Sequence, residues 1–264
     1  MQRRFYPIRQ PCATCPATLK IGFVVYNVPP MELAVAVAKV GKYATSESGD
    51  TFEMIERPQG GLSFVLVDGQ HSGRGAKNIS NIVARKAISD LAEGVRDGAV
   101  ARAAHDYLFT YRQGKVSATL NIVSADLTTR TIVLARNNHC PTIVVAPSGL
   151  RLLDQPSNPV GIYARTKPNM TELPLVADTT VVVFTDGLMS AGEFTGRQLD
   201  LVSLVHDQTA YGTPDAQRIA DALLSAAVEA DDNRPDDDIS VVVLTVTDET
   251  SRDGARRLLV RAPL

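Results

Sequence analysis

Gly61-Leu62-Ser63-Phe64-Val65-Leu66-Val67-Asp68-Gly69-Gln70-His71-Ser72-Gly73-Arg74-Gly75-Ala76 reads as a strand that ends on an acid, a glycine-rich turn and the start of a helix. A carboxylate at the rim of a sheet, a glycine carbonyl beside it and the free N–H groups of a helix start together suit a metal and a phosphate. Taken by itself the stretch fits a plain tight connection equally well, because glycine-rich turns are common. Repetition weighs against the plain reading. Apolar or strand-like runs meet an acid beside a glycine or a second acid four times, at Gly49-Asp50, Asp68-Gly69, Asp186-Gly187 and Asp237-Asp238. Carboxylates converging in a partly desolvated cleft repel one another unless positive charge lies between them. The pattern predicts a pair of hard divalent cations, and an oxygen-only ligand set favours Mg2+ or Mn2+ over zinc.

Outward from this stretch, β-type runs dominate, at 21–28, 33–40, 62–67, 116–124, 131–136, 142–146, 150–153, 179–185 and 239–246. Short turn signals such as Asp126-Leu127-Thr128-Thr129 and Pro147-Ser148-Gly149 join several of them as antiparallel hairpins. Helical periodicity marks 76–91, 100–111, 199–205 and 214–228, so helices come in twos between runs of strands. That order predicts an α+β layered sandwich rather than a βαβ parallel sheet. One domain is expected over 20–247, preceded by a basic, proline-interrupted extension at 1–19 and followed by an Arg-rich tail at 248–264. These ends are possible docking segments, with solvated termini the default.

Composition excludes several classes of function. The 264 residues carry a net charge of −2 with acids and bases mixed, so the chain lacks the footprint of a nucleic-acid groove or of a protein held on an anionic membrane. No apolar run approaches the about 20 residues that span a bilayer, and the polar start lacks the core of a secretory signal. A cytoplasmic protein is expected. Cys12 and Cys15 have CxxC spacing, but with only Cys140 besides them they lack the partners of a structural zinc site or a disulfide framework. The pair is read as part of a flexible leader rather than a metal or redox site.

The ordered set Gly-Asp, Asp-Gly-x-x-x-Gly-x-Gly-Ala, Thr-Asp-Gly and Asp-Asp-Ile, at Asp50, Asp68, Asp186 and Asp237, resembles the metal-dependent serine/threonine protein phosphatases of type 2C. More closely it resembles their bacterial sporulation and sigma-regulator branch, that of stage II sporulation protein E. Residues 135–141, Ala-Arg-Asn-Asn-His-Cys-Pro, are similar to that branch's Ala-x-x-Gly-His-x-Pro segment, and residues 158–162 to its Pro-Leu-Gly turn. The resemblance covers roughly residues 21–247. It implies a four-layer αββα sandwich with a dinuclear Mn2+ or Mg2+ site at one edge. Asp50 and Asp68 would bridge or flank the ions, Gly69 would lend its carbonyl, and Asp186 and Asp237 would complete a coordination sphere with Asp238 behind them. Such ions would lower the pKa of a shared water and neutralise the phosphoryl oxygens, so that in-line attack on phosphorus needs no phosphoenzyme.

The chain departs from the family in places that bear on mechanism. Gln70 stands where the eukaryotic branch has a histidine proposed to protonate the leaving group, which makes water the default donor and His71 a candidate general acid. No family arginine for the phosphate can be assigned; Arg74 is the nearest candidate, with a solvated helix-start arginine as the plain alternative. Asn138 replaces the glycine usual before His139, and His139 is expected to satisfy backbone groups rather than a metal. The implied substrate is phosphoserine or phosphothreonine on a signalling protein such as an anti-sigma-factor antagonist. Two other readings stay open. One is a catalytically weak phosphoprotein-binding module of the same fold. The other is a phosphotransferase using Asp68 or Asp186 as covalent nucleophile, which the missing second acid two residues later disfavours.

Overall fold

The computed structural model of the chain describes residues 31–58, 60–248 and 255–261. In chain order, β1 (Glu32–Val40), β2 (Asp50–Glu56) and β3 (Leu62–Gly69) lead into the helices α1 (Gly73–Ala92) and α2 (Asp97–Arg112). There follow β4 (Ala118–Asp126), β5 (Thr131–Asn137), β6 (Thr142–Ala146), β7 (Gly149–Leu153), β8 (Asn169–Pro174) and β9 (Thr179–Phe184). The short α3 (Asp186–Ser190), then α4 (Leu201–Thr209), α5 (Ala216–Ala230) and β10 (Ile239–Thr247) complete the set. The strands form two five-stranded sheets, ordered β1-β10-β9-β6-β7 and β2-β3-β4-β5-β8, and every pairing is antiparallel.

Three apolar clusters stack these elements into four layers. Val65, Val67, Leu120 and Ile122 bury one face of the second sheet against Val83, Leu91, Val100 and Leu108 of α1 and α2. Val182, Phe184, Val241 and Val243 bury one face of the first sheet against Leu188, Val205, Ile219 and Leu223 of α3, α4 and α5. Between the sheets lie Phe64, Leu66, Val123, Leu134, Val181, Val183, Val242 and Leu244. The fold is therefore an αββα sandwich of the α+β class.

Alternation of side chains along a strand decides where the acids go. In β3, Phe64 and Leu66 face the layer between the sheets, so Asp68, the next residue of that parity, points the same way. In β2, Phe52 and Met54 do likewise, and Asp50 shares their parity. The ladder then sets Asp50 directly opposite Asp68. An apolar interlayer thus turns acidic at one end.

Most of the strands and helices expected from sequence are present, with three additions. β2 begins at Asp50 rather than ending there, β8 is a short edge strand closed by Pro174, and Asp186 opens the short α3. The run at 21–28, the extension at 1–19 and Cys12 and Cys15 lie outside the described residues. Of the C-terminal tail, residues 255–261 are exposed and free of helix or strand, and Arg256 pairs with Glu56 at 3.0 Å across the surface. No helix among the described residues is long and apolar enough to cross a membrane.

The glycines beside the acids serve close packing. A Cβ on Gly69 would stand 2.1 Å from the Ala76 carbonyl oxygen, one on Gly187 2.3 Å from that of Asp238, and one on Gly49 2.6 Å from the Ala76 Cβ. Only bare backbone lets α1 and the start of β10 press onto the acidic strand ends. Gly69→Ala and Gly187→Ala are expected to lose about 2–3 kcal/mol of stability each by overpacking. Gly75→Ala, where an added Cβ meets nothing within 4 Å, should be neutral or stabilising by up to about 1 kcal/mol. Urea unfolding of the three variants checks the contrast.

Candidate active site

The edge where the interlayer turns acidic is assembled from both sheets. Asp50 and Asp68 come from the second sheet, while Asp186 follows β9 and Asp237 precedes β10 in the first. Asp50 is fully buried. Its Oδ2 accepts hydrogen bonds from Ser240 Oγ at 2.6 Å and Thr185 Oγ1 at 3.0 Å, which tie one sheet to the other. Its carbonyl oxygen accepts from the ammonium groups of Lys39 at 2.7 Å and Lys77 at 2.6 Å, so β1 and α1 both hold its backbone. Burial, followed by the neighbouring Lys77 charge, lowers the pKa of Lys39.

Asp238 is buried and acts as a clamp. Its Oδ1 accepts the Lys42 N–H at 2.9 Å and its Oδ2 the Gly49 N–H at 2.8 Å. One side chain thereby closes both ends of the β1–β2 connection and fixes the chain that delivers Asp50. Thr185 Oγ1 also accepts the Ser240 N–H at 2.9 Å, joining the starts of α3 and β10.

Electrostatics show how closely the acids converge. Asp68 is pushed up to about 9, first by burial and then by the charges of Asp50, Asp186 and Asp237. Asp50 is raised to about 6 by burial, against the opposing hydrogen bonds of Ser240 and Thr185 and the charge of Lys39. Asp237 is raised by burial ahead of the Asp186 charge, with the Asp238 N–H and Lys42 pulling the other way. Like charges directly opposite in a ladder are destabilising. The Asp50 Oδ1 atom is buried and receives no hydrogen bond from the protein; a proton on Asp68 or a cation would satisfy it.

The donor set is therefore of the kind hard divalent cations take, oxygen atoms only and more negative charge than the fold itself neutralises. Among the described residues no group of three or more carboxylate, imidazole or thiol side chains is gathered closely enough to hold a metal ion as it stands. The fit is one of charge, donor type and the orphaned Oδ1.

Of the residues singled out from sequence, Asp50, Asp68, Asp186 and Asp237 act on one another at this edge, with Asp238 directly behind. Gly69 lies beside them at the end of β3. Gln70 is tied to Ser117, its side-chain Oε1 accepting the Ser117 N–H at 3.0 Å while its backbone N–H donates to the Ser117 carbonyl at 3.1 Å. His71 sits exposed on a positive φ of 71° and Arg74 is exposed in the first turn of α1. The basic charges acting on Asp50 and Asp237 are instead Lys39 and Lys42. The expectation for His139 is corrected: rather than bonding to backbone, its Nε2 faces Asp186 Oδ2 at 3.9 Å. Asn138 takes the place of a glycine without strain, because its Oδ1 accepts the Cys140 N–H at 2.9 Å and closes the turn as an Asx turn. Sequence carried a signal for this turn: Arg136-Asn137-Asn138 are three successive polar residues, all buried, where a strand leaves the sheet.

Comparison with known proteins places the fold and the family. A family profile described as Stage II sporulation protein E (SpoIIE) matches residues 58–247. Stage II sporulation protein E of Priestia megaterium is 19% identical over 217 residues, which are 82% of this chain and 37% of that protein's length. Among solved structures, the PP2C phosphatase domain of SpoIIE from Bacillus subtilis, with a fragment of its regulatory domain, superposes with a TM-score of 0.69. It is 19% identical, and the match covers 81% of this chain and 63% of that one. The catalytic domain of the serine/threonine phosphatase PstP, solved with 2 manganese ions, gives a TM-score of 0.63 at 14% identity over 83% of this chain and 100% of that one.

The raised carboxyl groups set a pH dependence. In chelator the folded chain keeps protons on Asp68 that the unfolded chain releases above about pH 4. Stability from this source is present at low pH and falls as pH rises toward the folded value of about 9. Asp68→Asn removes the ionisation, so in chelator it should melt above the wild type, by on the order of 5 °C at pH 8 and less at pH 5. Mn2+ should reverse that order, stabilising the wild type more as pH rises. Melting curves of both proteins at the two pH values decide it; a wild type that never melts below Asp68→Asn would show that the acids do not repel.

Proposed function

The chain belongs to the stage II sporulation protein E family, and from that premise and the four converging carboxylates we propose that it is a metal-dependent serine/threonine phosphoprotein phosphatase. The observation that carries the proposal is the convergence on Asp68, which burial first and then the charges of three other acids push up in pKa at the mouth of the interlayer. The manganese ions of the PstP structure, on a similar fold, support two Mn2+ or Mg2+ ions as the cofactor. Asp50, Asp68, Asp186 and Asp237 are the proposed ligands, with the Gly69 carbonyl beside them. Bound at this edge, divalent ions supply a lowered pKa for water and neutralisation of the phosphoryl oxygens.

The chain's own groups do the positioning. Thr185 and Ser240 orient the Asp50 carboxylate, Lys39 and Lys77 hold its backbone, and Asp238 fixes the connection through Lys42 and Gly49. The half-exposed Asp186 leaves the mouth open to a phosphorylated side chain presented from outside. Hydrolysis by water in this arrangement forms a new P–O bond and breaks the seryl P–O bond without a covalent enzyme intermediate. Membership of the family supports a phosphorylated signalling protein as the substrate, of the anti-sigma-factor-antagonist kind.

Phosphate release from a phosphoserine-bearing protein should require Mn2+ or Mg2+ and stop in chelator. Asp68→Ala and Asp186→Ala should each lower it by about two orders of magnitude or more. Acid-quenched protein should carry no phosphoryl group. A trapped acyl phosphate would support the phosphotransferase reading, and tight binding of the phosphoprotein without turnover the binding-module reading.

A further inference from the structure

The turn between β5 and β6 passes from one sheet to the other at the acidic edge, and it is held more firmly than a loop of its length requires. Arg136 is buried, yet it pairs with no carboxylate among the described residues; its guanidinium donates to the carbonyls of Cys140 at 2.7 Å and Gln155 at 2.8 Å. The Asn138 side chain accepts the Cys140 N–H, the Asn138 carbonyl accepts the Ser157 N–H at 3.1 Å, and Asn137 Nδ2 donates to the Asn158 carbonyl at 3.0 Å. Burying a guanidinium on two carbonyls is costly, and here it fixes one turn.

His139 is the one exposed residue between residue 134 and residue 140. Its side chain is 52% exposed, with Nε2 3.9 Å from Asp186 Oδ2. That separation is too long for a hydrogen bond, so the ring stands against the acidic edge with a nitrogen still able to donate. Of the other nearby groups, Gln70 has its side-chain oxygen and its backbone N–H bonded to Ser117, and His71, exposed on its positive-φ turn, pairs with no carboxylate among the described residues as His139 does with Asp186.

We propose that His139 touches the phosphoserine substrate, donating a hydrogen bond from Nε2 to the seryl oxygen as its bond to phosphorus breaks. The inference rests on the phosphatase reading above. In the reaction, water supplies the oxygen that ends on phosphate and the proton that ends on serine, so the imidazole begins and finishes in one protonation state. Its contribution is a donor carried on a fixed turn where negative charge develops, the kind of group whose removal costs about a hundredfold or more when the leaving oxygen is a poor one. A seryl alkoxide is such a leaving group, whereas p-nitrophenolate leaves with little help.

The test compares His139→Ala and His139→Gln with the wild type, with saturating Mn2+, on a synthetic phosphoserine peptide and on aryl phosphates of graded leaving-group pKa. For His139→Ala the loss in kcat on the peptide should exceed the loss on p-nitrophenyl phosphate by tenfold or more. The dependence of rate on leaving-group pKa should steepen, and KM and the Mn2+ midpoint of the thermal shift should stay within about twofold. His139→Gln, which keeps an N–H donor, should recover much of the difference and guards against a folding defect in the alanine variant. Equal losses on all substrates together with a shifted Mn2+ midpoint would make His139 a support for Asp186 and overturn the inference, as would rates unchanged on the peptide. A wild type without turnover on any substrate would overturn the phosphatase reading and this inference with it; turnover with parallel losses overturns this inference alone.

Discussion

Mutual repulsion of carboxylates held at one end of an otherwise apolar interlayer is the constraint around which the rest of this edge is arranged. Asp50 and Asp68 face each other across the β2–β3 ladder because Phe52 and Met54 on one strand and Phe64 and Leu66 on the other must face the opposing sheet. The stacked rings of Phe52 and Phe64, 6.4 Å apart, lie one and two steps inward on their strands. A slip of one residue would send those rings to the other face. Core packing thus fixes the register, and the register places two carboxyl groups side by side where neither can turn away, so that one holds its proton unless a cation replaces it.

The surroundings hold the acids together by bonds that do not involve pairing them with bases. Thr185 and Ser240 reach across from the other sheet, and Lys39 and Lys77 spend their ammonium groups on the Asp50 backbone rather than on its carboxylate. Arginine or lysine forks on the carboxylates would have removed the repulsion and, with it, the affinity for a cation. The asymmetry between a firmly held backbone and unneutralised side chains is what separates a binding edge from a structural ion-pair network.

Much of this was legible in the sequence. The apolar runs of β3, β9 and β10 carry their own boundaries, and hairpin turns gave the antiparallel order. β2 was missed because Glu53 and Glu56 interrupt the apolar positions, although Phe52 and Met54 alternate with Glu53 as a half-buried strand should. β8, with the sequence Asn169-Met170-Thr171-Glu172-Leu173-Pro174, is an edge strand whose only partner among the described residues is β5, and nothing local distinguishes it from a loop. The glycines were read as openings for a ligand. Their tight contacts with Ala76 and Asp238 are tertiary, and no local pattern announces which distant backbone will arrive. The same limit applied to His139, whose neighbour Asp186 is far away in the chain.

Rigidity at this edge has a chemical use that repulsion alone does not explain. If the β1–β2 connection were free to relax, the metal-free acids would separate and each returning ion would have to recover the ordering entropy of the loop. Asp238 prevents this by holding Lys42 and Gly49 from a strand whose nine residues are all buried just beyond it. Asn138 and Arg136 do the same for the β5–β6 turn. Both of these turns, which cross between the sheets at the acidic edge, are closed by buried polar side chains. A site closed in this way meets its cation and its substrate already in position, so that their binding free energy is not consumed in rebuilding it.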